Sequence, residues 1–188
     1  MKAQVHIDAG NVQYVHRDKF GNVKPIFQEN FLFRFLMKHG ILSPRAWKIP
    51  FLFGYWADSK LAYNLVTNAG FALMAGRCNG SGTPAAATYI ALGTGTTAAA
   101  ATDTALQTEL AVSGLSRANG AVSLVTTTVT NDTAQVTNTF TVTGSAAVTE
   151  SGVLNAASVG TLLCRQVFAA INVVNGDSLQ ITWKVKFS

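Results

Sequence analysis

The residues Leu179-Gln-Ile-Thr-Trp-Lys-Val-Lys-Phe187 alternate strictly between apolar and polar side chains. Successive side chains of an extended strand point to opposite faces, so this alternation is typical of a half-buried β-strand. One face then carries five apolar residues: Leu179, Ile181, Trp183, Val185 and Phe187. The pattern predicts a strand over 178–187 at the centre of a sheet, with Trp183 buried.

Shorter strand patterns precede this one from about residue 85 onward. Abundant Thr and Val favour sheet, and Asn131-Asp132 predicts a turn between two of the strands. The expected strands cover 89–92, 121–130, 134–143, 147–154 and 161–168. Short strands joined by turns indicate a mainly β chain, with an antiparallel β-sandwich or a small barrel over about residues 85–188.

The first 80 residues show other patterns. Residues 11–27 predict a hairpin, and Pro25 marks its second strand as an edge. Over 28–39, Phe and Leu each recur every four residues, which predicts a helix buried on most sides. Residues 61–76 predict a second helix with an apolar stripe. The run Gly80-Ser-Gly-Thr-Pro84 then interrupts the chain.

Charge divides the chain in a similar way. Residues 1–60 hold nine Lys/Arg and four Asp/Glu, a balance of +5, and eleven of the eighteen aromatic residues. Residues 61–188 hold five basic and five acidic residues, a balance of zero. We therefore expect a basic, aromatic-rich docking arm with hairpin and helix at 1–60, a helix and linker at 61–80, and a β-sandwich at 81–188.

The whole chain is poor in charge. Only 12% of its residues are charged, whereas about 25% is usual. Isolated soluble domains normally carry more charge to stay monomeric. We therefore expect copies of the chain or other partners to cover much of its surface.

Residues 41–60 combine two prolines with five aromatic residues, which predicts an irregular segment. Such an apolar segment must pack on its own domain or on another chain. Aromatic and Arg side chains dominate the energetics of protein interfaces. The candidate protein-docking residues are Arg34, Lys38, Trp47, Phe51, Phe53, Tyr55 and Trp56.

The basic, aromatic-rich residues 1–60 are also compatible with nucleic-acid binding, because Lys and Arg bind phosphates and aromatic rings stack on bases. Here the rings fall at helix-core spacing or between prolines, and the positive charges form no cluster. Protein docking is therefore preferred, and nucleic-acid binding through residues 1–60 stays as the alternative. A membrane-surface helix at 28–39 is less favoured, because its polar face is narrow.

Residues that would form an enzyme site are scarce. A metal site at His6 and His16 would need an Asp as its third ligand, and solvent-facing strand histidines are the simpler interpretation. The acidic residues are scattered singly. Glu150 interrupts a strand-like stretch and either pairs with Arg117 or Arg165 or is solvated. We expect no catalytic residue, no metal, no cofactor and no small-molecule substrate.

The two cysteines, Cys78 and Cys164, form neither a disulfide framework nor a zinc pattern. Two buried free thiols are preferred over a single bridge. No apolar signal segment follows Met1-Lys2, so synthesis in the cytoplasm is expected. The uncharged stretch 78–102 contains Pro84 and lacks the apolar density of a membrane helix, so no membrane partner is expected.

Five short motifs follow one another in the second half of the chain. They are Tyr89-Ile-Ala-Leu-Gly-Thr-Gly-Thr-Thr97, Thr104-Ala-Leu-Gln-Thr-Glu-Leu110, Val148-Thr-Glu-Ser-Gly-Val-Leu-Asn155, Leu163-Cys-Arg-Gln-Val-Phe168 and Gly176-Asp-Ser-Leu-Gln-Ile-Thr-Trp183. No single motif is specific. Their order and spacing resemble small virion structural proteins of tailed bacteriophages, and also the attachment domains of phage tail and collar fibres.

The resemblance implies a non-enzymatic virion protein that contacts copies of itself and other virion proteins. The chain departs from the family at Val153-Leu154, where Leu-Phe is more common, and at Cys164, where Ala is usual; both replacements fit a core. It stops at Ser188 without a fibrous extension. That argues against host-receptor binding and favours a joint, collar, baseplate or decoration role. The preferred place is the tail, collar, baseplate or fibre-attachment region, with capsid decoration as the alternative. The expected location is the virion, after synthesis in the cytoplasm of the bacterial host.

Overall fold

The computed structural model describes residues 7–8, 10–43, 45 and 48–187. Its elements are β1 Ile7–Asp8, β2 Asn11–Arg17, β3 Ile26–Glu29, α1 Phe31–Lys38, β4 Gly54–Ala57, β5 Lys60–Tyr63, β6 Leu65–Val66, α2 Asn68–Asn79, β7 Tyr89–Gly93, β8 Ala118–Asn119, β9 Ala121–Val125, β10 Thr133–Thr141, β11 Ala146–Leu154, β12 Leu162–Val173 and β13 Ser178–Phe187. The paired strands all run antiparallel. The prediction of a mainly β, antiparallel chain is confirmed.

Two sheets form the body of the fold. Sheet I has the strand order β5-β2-β13-β10-β9, with β1 also paired to β13, and sheet II has the order β6-β12-β11-β7-β8. Their facing sides share one hydrophobic core. The rings of Tyr14 in sheet I and Phe168 in sheet II have centroids 4.3 Å apart. The Trp183 Nε1–H of sheet I donates to Ser151 Oγ of sheet II at 3.1 Å. The architecture is that of a β-sandwich.

Strand β13 lies in the middle of sheet I, between β2 and β10, as its alternation predicted. Trp183 is 1% exposed, and three of the other four apolar residues on the same face are also buried. Phe187, at the end of the strand, is 38% exposed. The inner face of β13 therefore forms the centre of the core.

The expected division at residue 81 does not separate two sheets. Strand β2, from the predicted arm, pairs with β13, and β5 pairs with β2. Val12 and Tyr14 are fully buried and belong to the same core as Trp183. The sandwich therefore takes strands from both sides of residue 81, because the alternating residues of β2 complete the inner face of sheet I.

The predicted hairpin over 11–27 is only partly present. Asp18 closes its turn by accepting hydrogen bonds from two following backbone amides, both at 2.9 Å. The Lys24 N–H still donates to the His16 carbonyl at 2.8 Å. Pro25 then lacks an N–H to continue the pairing. The returning strand, β3, pairs with β4 instead.

Helix α1 begins later than the predicted 28–39. Asn30 is its N-cap, because Asn30 Oδ1 accepts the Phe33 N–H at 3.0 Å. The expectation of burial on most sides is wrong. Phe33 is the buried residue of this helix, whereas Phe31 is 82% exposed and Phe35 is 45% exposed. Helix α1 therefore presents apolar side chains to solvent.

Two strands and a shorter helix replace the second predicted helix at 61–76. Residues 60–63 alternate between buried and exposed, the period of a strand. Helix α2 follows Thr67, whose Oγ1 accepts the Gly70 N–H at 2.9 Å. It ends at Gly80, whose φ of 72° suits glycine. A helix in this part of the chain is confirmed, with a later start.

Glu150 of β11 is fully buried and organises the segment that follows β7. Its carboxylate accepts hydrogen bonds from three backbone amides at 2.7–3.0 Å; these belong to Gly95, Gln107 and Thr108. Arg165 Nε donates to the same carboxylate at 2.9 Å. Of the two arginines considered for Glu150, Arg165 is therefore its partner, and Arg117 pairs with Glu109. These bonds hold residues 95–108 on sheet II.

Candidate protein-docking surface

Exposed apolar residues of the first 60 residues lie on α1, on the loop before β4 and on β4 itself. The Asn30 N–H donates to the Phe53 carbonyl at 2.8 Å, and Asn30 Nδ2 donates to the Leu52 carbonyl at 2.8 Å. These bonds hold Leu52 and Phe53 against the start of α1. We define the aromatic surface as seven residues that are between 41% and 101% exposed: Phe31, Leu32, Phe35, Phe51, Leu52, Tyr55 and Trp56.

A small hydrophobic cluster supports this surface from below. Phe27, Phe33 and Ala169 are its buried members, and Phe53 packs against them. The Phe33 and Phe53 rings meet edge to face with centroids 5.6 Å apart. The Phe27 and Trp56 rings meet in the same way at 5.6 Å. Phe53, a predicted docking residue, therefore supports the surface, while Trp56 extends from the cluster to solvent.

Phe51 stands at the tip of the loop and is the most exposed of the predicted docking residues in the described chain, at 101%. Its φ is 65°, in the left-handed region. That region is disfavoured for a bulky L-residue. The Phe51 N–H donates to the Gly54 carbonyl at 2.9 Å, which holds the tight turn. Backbone strain of this kind is concentrated at functional sites.

Basic side chains flank the aromatic surface. The Arg34 guanidinium lies 5.7 Å from the centroid of the Tyr63 ring, and Lys48 Nζ lies 5.7 Å from that of Trp56. Lys38 is exposed in the last turn of α1. Both predicted basic docking residues, Arg34 and Lys38, thus belong to the same helix as the exposed phenylalanines. Trp47, the remaining predicted docking residue, lies outside the described residues.

A buried ion pair joins the strands beneath this surface. Lys60 Nζ pairs with Glu29 and donates to the Phe27 carbonyl at 3.3 Å. Glu29 also accepts the Ala169 N–H. Burial lowers the pKa of Lys60 to about 8, against the opposing attraction of Glu29. The pair connects β3, β5 and β12, and sequence patterns did not predict it because neither residue belongs to a local motif.

A cleft of about 440 Å³ lies between α1, β5 and residues 96–99. Its titratable lining residues are Glu29, Arg34, Lys38 and Tyr63. Glu29 is the acidic one, and its carboxylate is already bound to Lys60. The cleft therefore offers a cationic lining beside the aromatic surface.

His16, one of the two histidines considered for a metal site, is not the solvent-facing strand histidine that was expected. His16 is buried, and its Nε2 lies 2.7 Å from Asp177 Oδ2; His6 lies outside the described residues. Burial lowers the pKa of His16, against the raising effect of Asp177. Within the described ranges, no group of three or more His, Cys, Asp or Glu side chains is placed to hold a metal ion.

Both cysteines are free thiols. Cys164 is buried in the core, where burial raises its pKa, whereas Cys78 is exposed. The expectation of two buried thiols is therefore right for Cys164 and wrong for Cys78. Cys78 lies in the last turn of α2, beyond residue 76, where the predicted helix ended.

A search of the described helices for a membrane-spanning segment found none of sufficient length and apolar character. Comparison of the chain with protein-family models, with curated proteins and with solved structures found no match. The geometry and chemistry of the aromatic surface are therefore the structural basis for assigning a function.

Proposed function

We propose that this protein is a non-enzymatic structural component of a tailed-bacteriophage virion, docked in multiple copies in the tail, collar, baseplate or fibre-attachment region. The observation that carries the docking role is the aromatic surface. Large apolar side chains left exposed on neighbouring segments of a soluble protein indicate an interaction site. The step from docking to a virion rests on the order of motifs between residues 89 and 183.

The composition of the surface indicates the kind of partner. Tyr55 and Trp56 are the residue types that anchor interfaces, and Phe51 stands fully exposed at the loop tip. Arg34 and Lys38 add positive charge beside them. A partner with an apolar pocket and an acidic rim would match both features, since complementary charge favours encounter and specificity.

Two other functions of the aromatic surface can be distinguished from docking in the tail region by experiment. Capsid decoration would employ the same side chains and differs in where the copies sit on the particle. Lys48 over the exposed Trp56 ring favours one further candidate, single-stranded nucleic-acid binding, in which bases stack on the ring. That candidate predicts affinity that falls steeply with salt concentration, whereas docking through apolar side chains predicts a shallow dependence.

We expect Phe51→Gly and Trp56→Ala to reduce incorporation of the chain into particles. Phe51→Gly should leave the free energy of unfolding unchanged within about 1 kcal/mol, because relief of the left-handed strain offsets the greater freedom of Gly in the unfolded chain. Quantitative mass spectrometry of purified particles measures incorporation, and urea unfolding measures stability.

Phe20→Ala is the matched control. Phe20 is 78% exposed but belongs to the turn after β2, so its removal should leave incorporation at the wild-type level. Normal incorporation of both the Phe51 and the Trp56 variants would contradict the docking role. Absence of the wild-type chain from purified particles would contradict the virion assignment.

A further inference from the structure

Strand β9 is an uncovered edge of sheet I. It pairs with β10 on one side only. In the described part of the chain, no backbone hydrogen bond joins its other side to another segment. Its first four residues are exposed, and Val125 is half-buried. A row of unpaired backbone N–H and C=O groups is a template for another strand.

The opposite edge of the same sheet is protected. At β5, Gln28 Nε2 donates to the Leu61 carbonyl at 2.7 Å, and Gln28 Oε1 accepts the Leu61 N–H at 2.9 Å. One side chain thus occupies both backbone groups of Leu61, which an added strand would need. Residues 118–131, which contain β9, include no Lys, no Pro and no acidic residue. These are the residues by which natural edges are usually blunted.

Two apolar side chains of β9 point towards the inside of the sandwich and yet remain uncovered. Val122 lies opposite Val136, and Leu124 lies opposite Ala134. Residues directly opposite each other share a face of the sheet, and Val136 belongs to the core. Val122 is nevertheless 62% exposed and Leu124 is 61% exposed. The inner face of sheet I therefore continues past the part that sheet II covers.

We infer that β9 pairs with β9 of a second copy, antiparallel about a twofold axis, so that two copies of sheet I become one continuous sheet. With Ser123 facing Ser123 of the partner subunit, Val122 lies opposite Leu124 of the partner subunit, and the reverse. This arrangement is self-complementary, as a twofold contact requires. It pairs apolar side chains with apolar side chains.

Charge distinguishes this edge from the aromatic surface. Residues 118–131 carry no charged side chain, so two identical copies meet there without electrostatic repulsion. The aromatic surface is flanked by Arg34, Lys38 and Lys48, and a second copy would oppose these cations with its own. The neutral edge therefore suits a second copy, and the basic surface suits an acidic partner of another kind.

Pairing through β9 would be the contact between copies of this chain. It rests on the proposed function only in placing those copies in a particle. A contact made by a five-residue strand belongs to the weak class of interfaces, below about 1,200 Å². Copies held on a symmetric scaffold gain effective concentration, which strengthens such contacts. In solution, the association should rise with protein concentration across the micromolar to millimolar range.

The test is sedimentation equilibrium of the full chain and three variants. Val122→Lys should weaken association about tenfold, because it disrupts two cross-strand pairs in each dimer. Adding Leu124→Glu should restore association, because each introduced lysine then lies opposite an introduced glutamate of the other copy in the proposed register. Val129→Lys is the control, since Val129 is 66% exposed but lies in the loop after β9.

Hydrogen exchange gives a second measurement that does not depend on variants. The outward amides of β9 should become protected as the wild-type concentration rises. A wild-type chain that stays monomeric with unprotected β9 amides would overturn the inference, as would Val122→Lys associating like the wild type. If the double variant does not regain association, the proposed register, with Ser123 opposite Ser123 of the partner subunit, is wrong. A chain that associates through β9 but is absent from particles would refute the proposed function and leave this contact standing.

Discussion

Glu150→Ala lowers the free energy of unfolding by about 3–5 kcal/mol, because it removes one partner of a buried ion pair and the acceptor of three backbone amides. Arg165 is 2% exposed and would keep Asp103, at 2.8 Å, as its charged partner. The amides of Gly95, Gln107 and Thr108 would lose their acceptor, and the buried Gly95 amide would add a desolvation cost of about 1–3 kcal/mol. Urea unfolding measures the loss, and hydrogen exchange at these amides locates it.

The control for this variant is the same substitution in a more exposed ion pair. Glu109 pairs with Arg117 at 2.6 Å, and its side chain is 28% exposed. Glu109→Ala should therefore cost less than Glu150→Ala, because water can reach the Glu109 carboxylate. If Glu150→Ala proves no more destabilising than Glu109→Ala, the buried carboxylate does not hold the segment after β7.

Lys60→Met lowers the free energy of unfolding by about 3–5 kcal/mol, because it leaves the Glu29 carboxylate buried without its cation. Adding Glu29→Gln should recover most of this loss. The Gln oxygen can still accept the Ala169 N–H that Glu29 accepts, and no uncompensated charge remains. If the double variant is as unstable as Lys60→Met alone, the loss of stability comes from packing and not from the unpaired Glu29 charge.

The same pair predicts a pH dependence of stability. The folded pKa of Lys60, about 8, is below its ordinary value of 10.5. Between these values the unfolded chain binds more protons, so the contribution of Lys60 to stability rises with pH. Above its ordinary pKa of 9.0, the buried Cys164 thiol opposes this rise, because its pKa is raised in the folded chain.

The clear window is therefore pH 8 to 9, where the wild type should gain about 1 kcal/mol of stability from this group. Urea unfolding at several pH values measures the gain. The Lys60→Met, Glu29→Gln double variant should lack it. A wild-type stability that is flat or falling across this window would contradict the assignment of a low pKa to Lys60.

The strands after residue 85 were predictable because the alternation of apolar and polar side chains is a local pattern. Strand β13 extends over 178–187, as expected. Strand β2 was also recognised as a strand, but its place in sheet I was not. It pairs with β13 at the other end of the chain, and a pairing over that separation depends on tertiary packing and not on local pattern. Charge and aromatic content predicted a boundary near residue 81, but residues on both sides of it belong to one hydrophobic core.

The predicted docking residues differ in exposure. Phe51, Tyr55 and Trp56 are exposed as a docking surface requires, whereas Phe53 turns inward onto the supporting cluster. The exposure of Phe31 and Phe35 on α1 was not predicted, because a four-residue apolar repeat suggests a buried helix. Periodicity shows which side chains share a helix face, but the packing of neighbouring elements decides whether that face is covered.

The most direct test of the central claim is cryo-electron microscopy of the intact particle, with this chain traced in the map. The account predicts repeated copies in the tail, collar, baseplate or fibre-attachment region. In each copy, Phe51, Tyr55 and Trp56 should lie against an acidic surface of another virion protein. A particle without this chain, or one in which the aromatic surface of every copy faces solvent, would contradict the account.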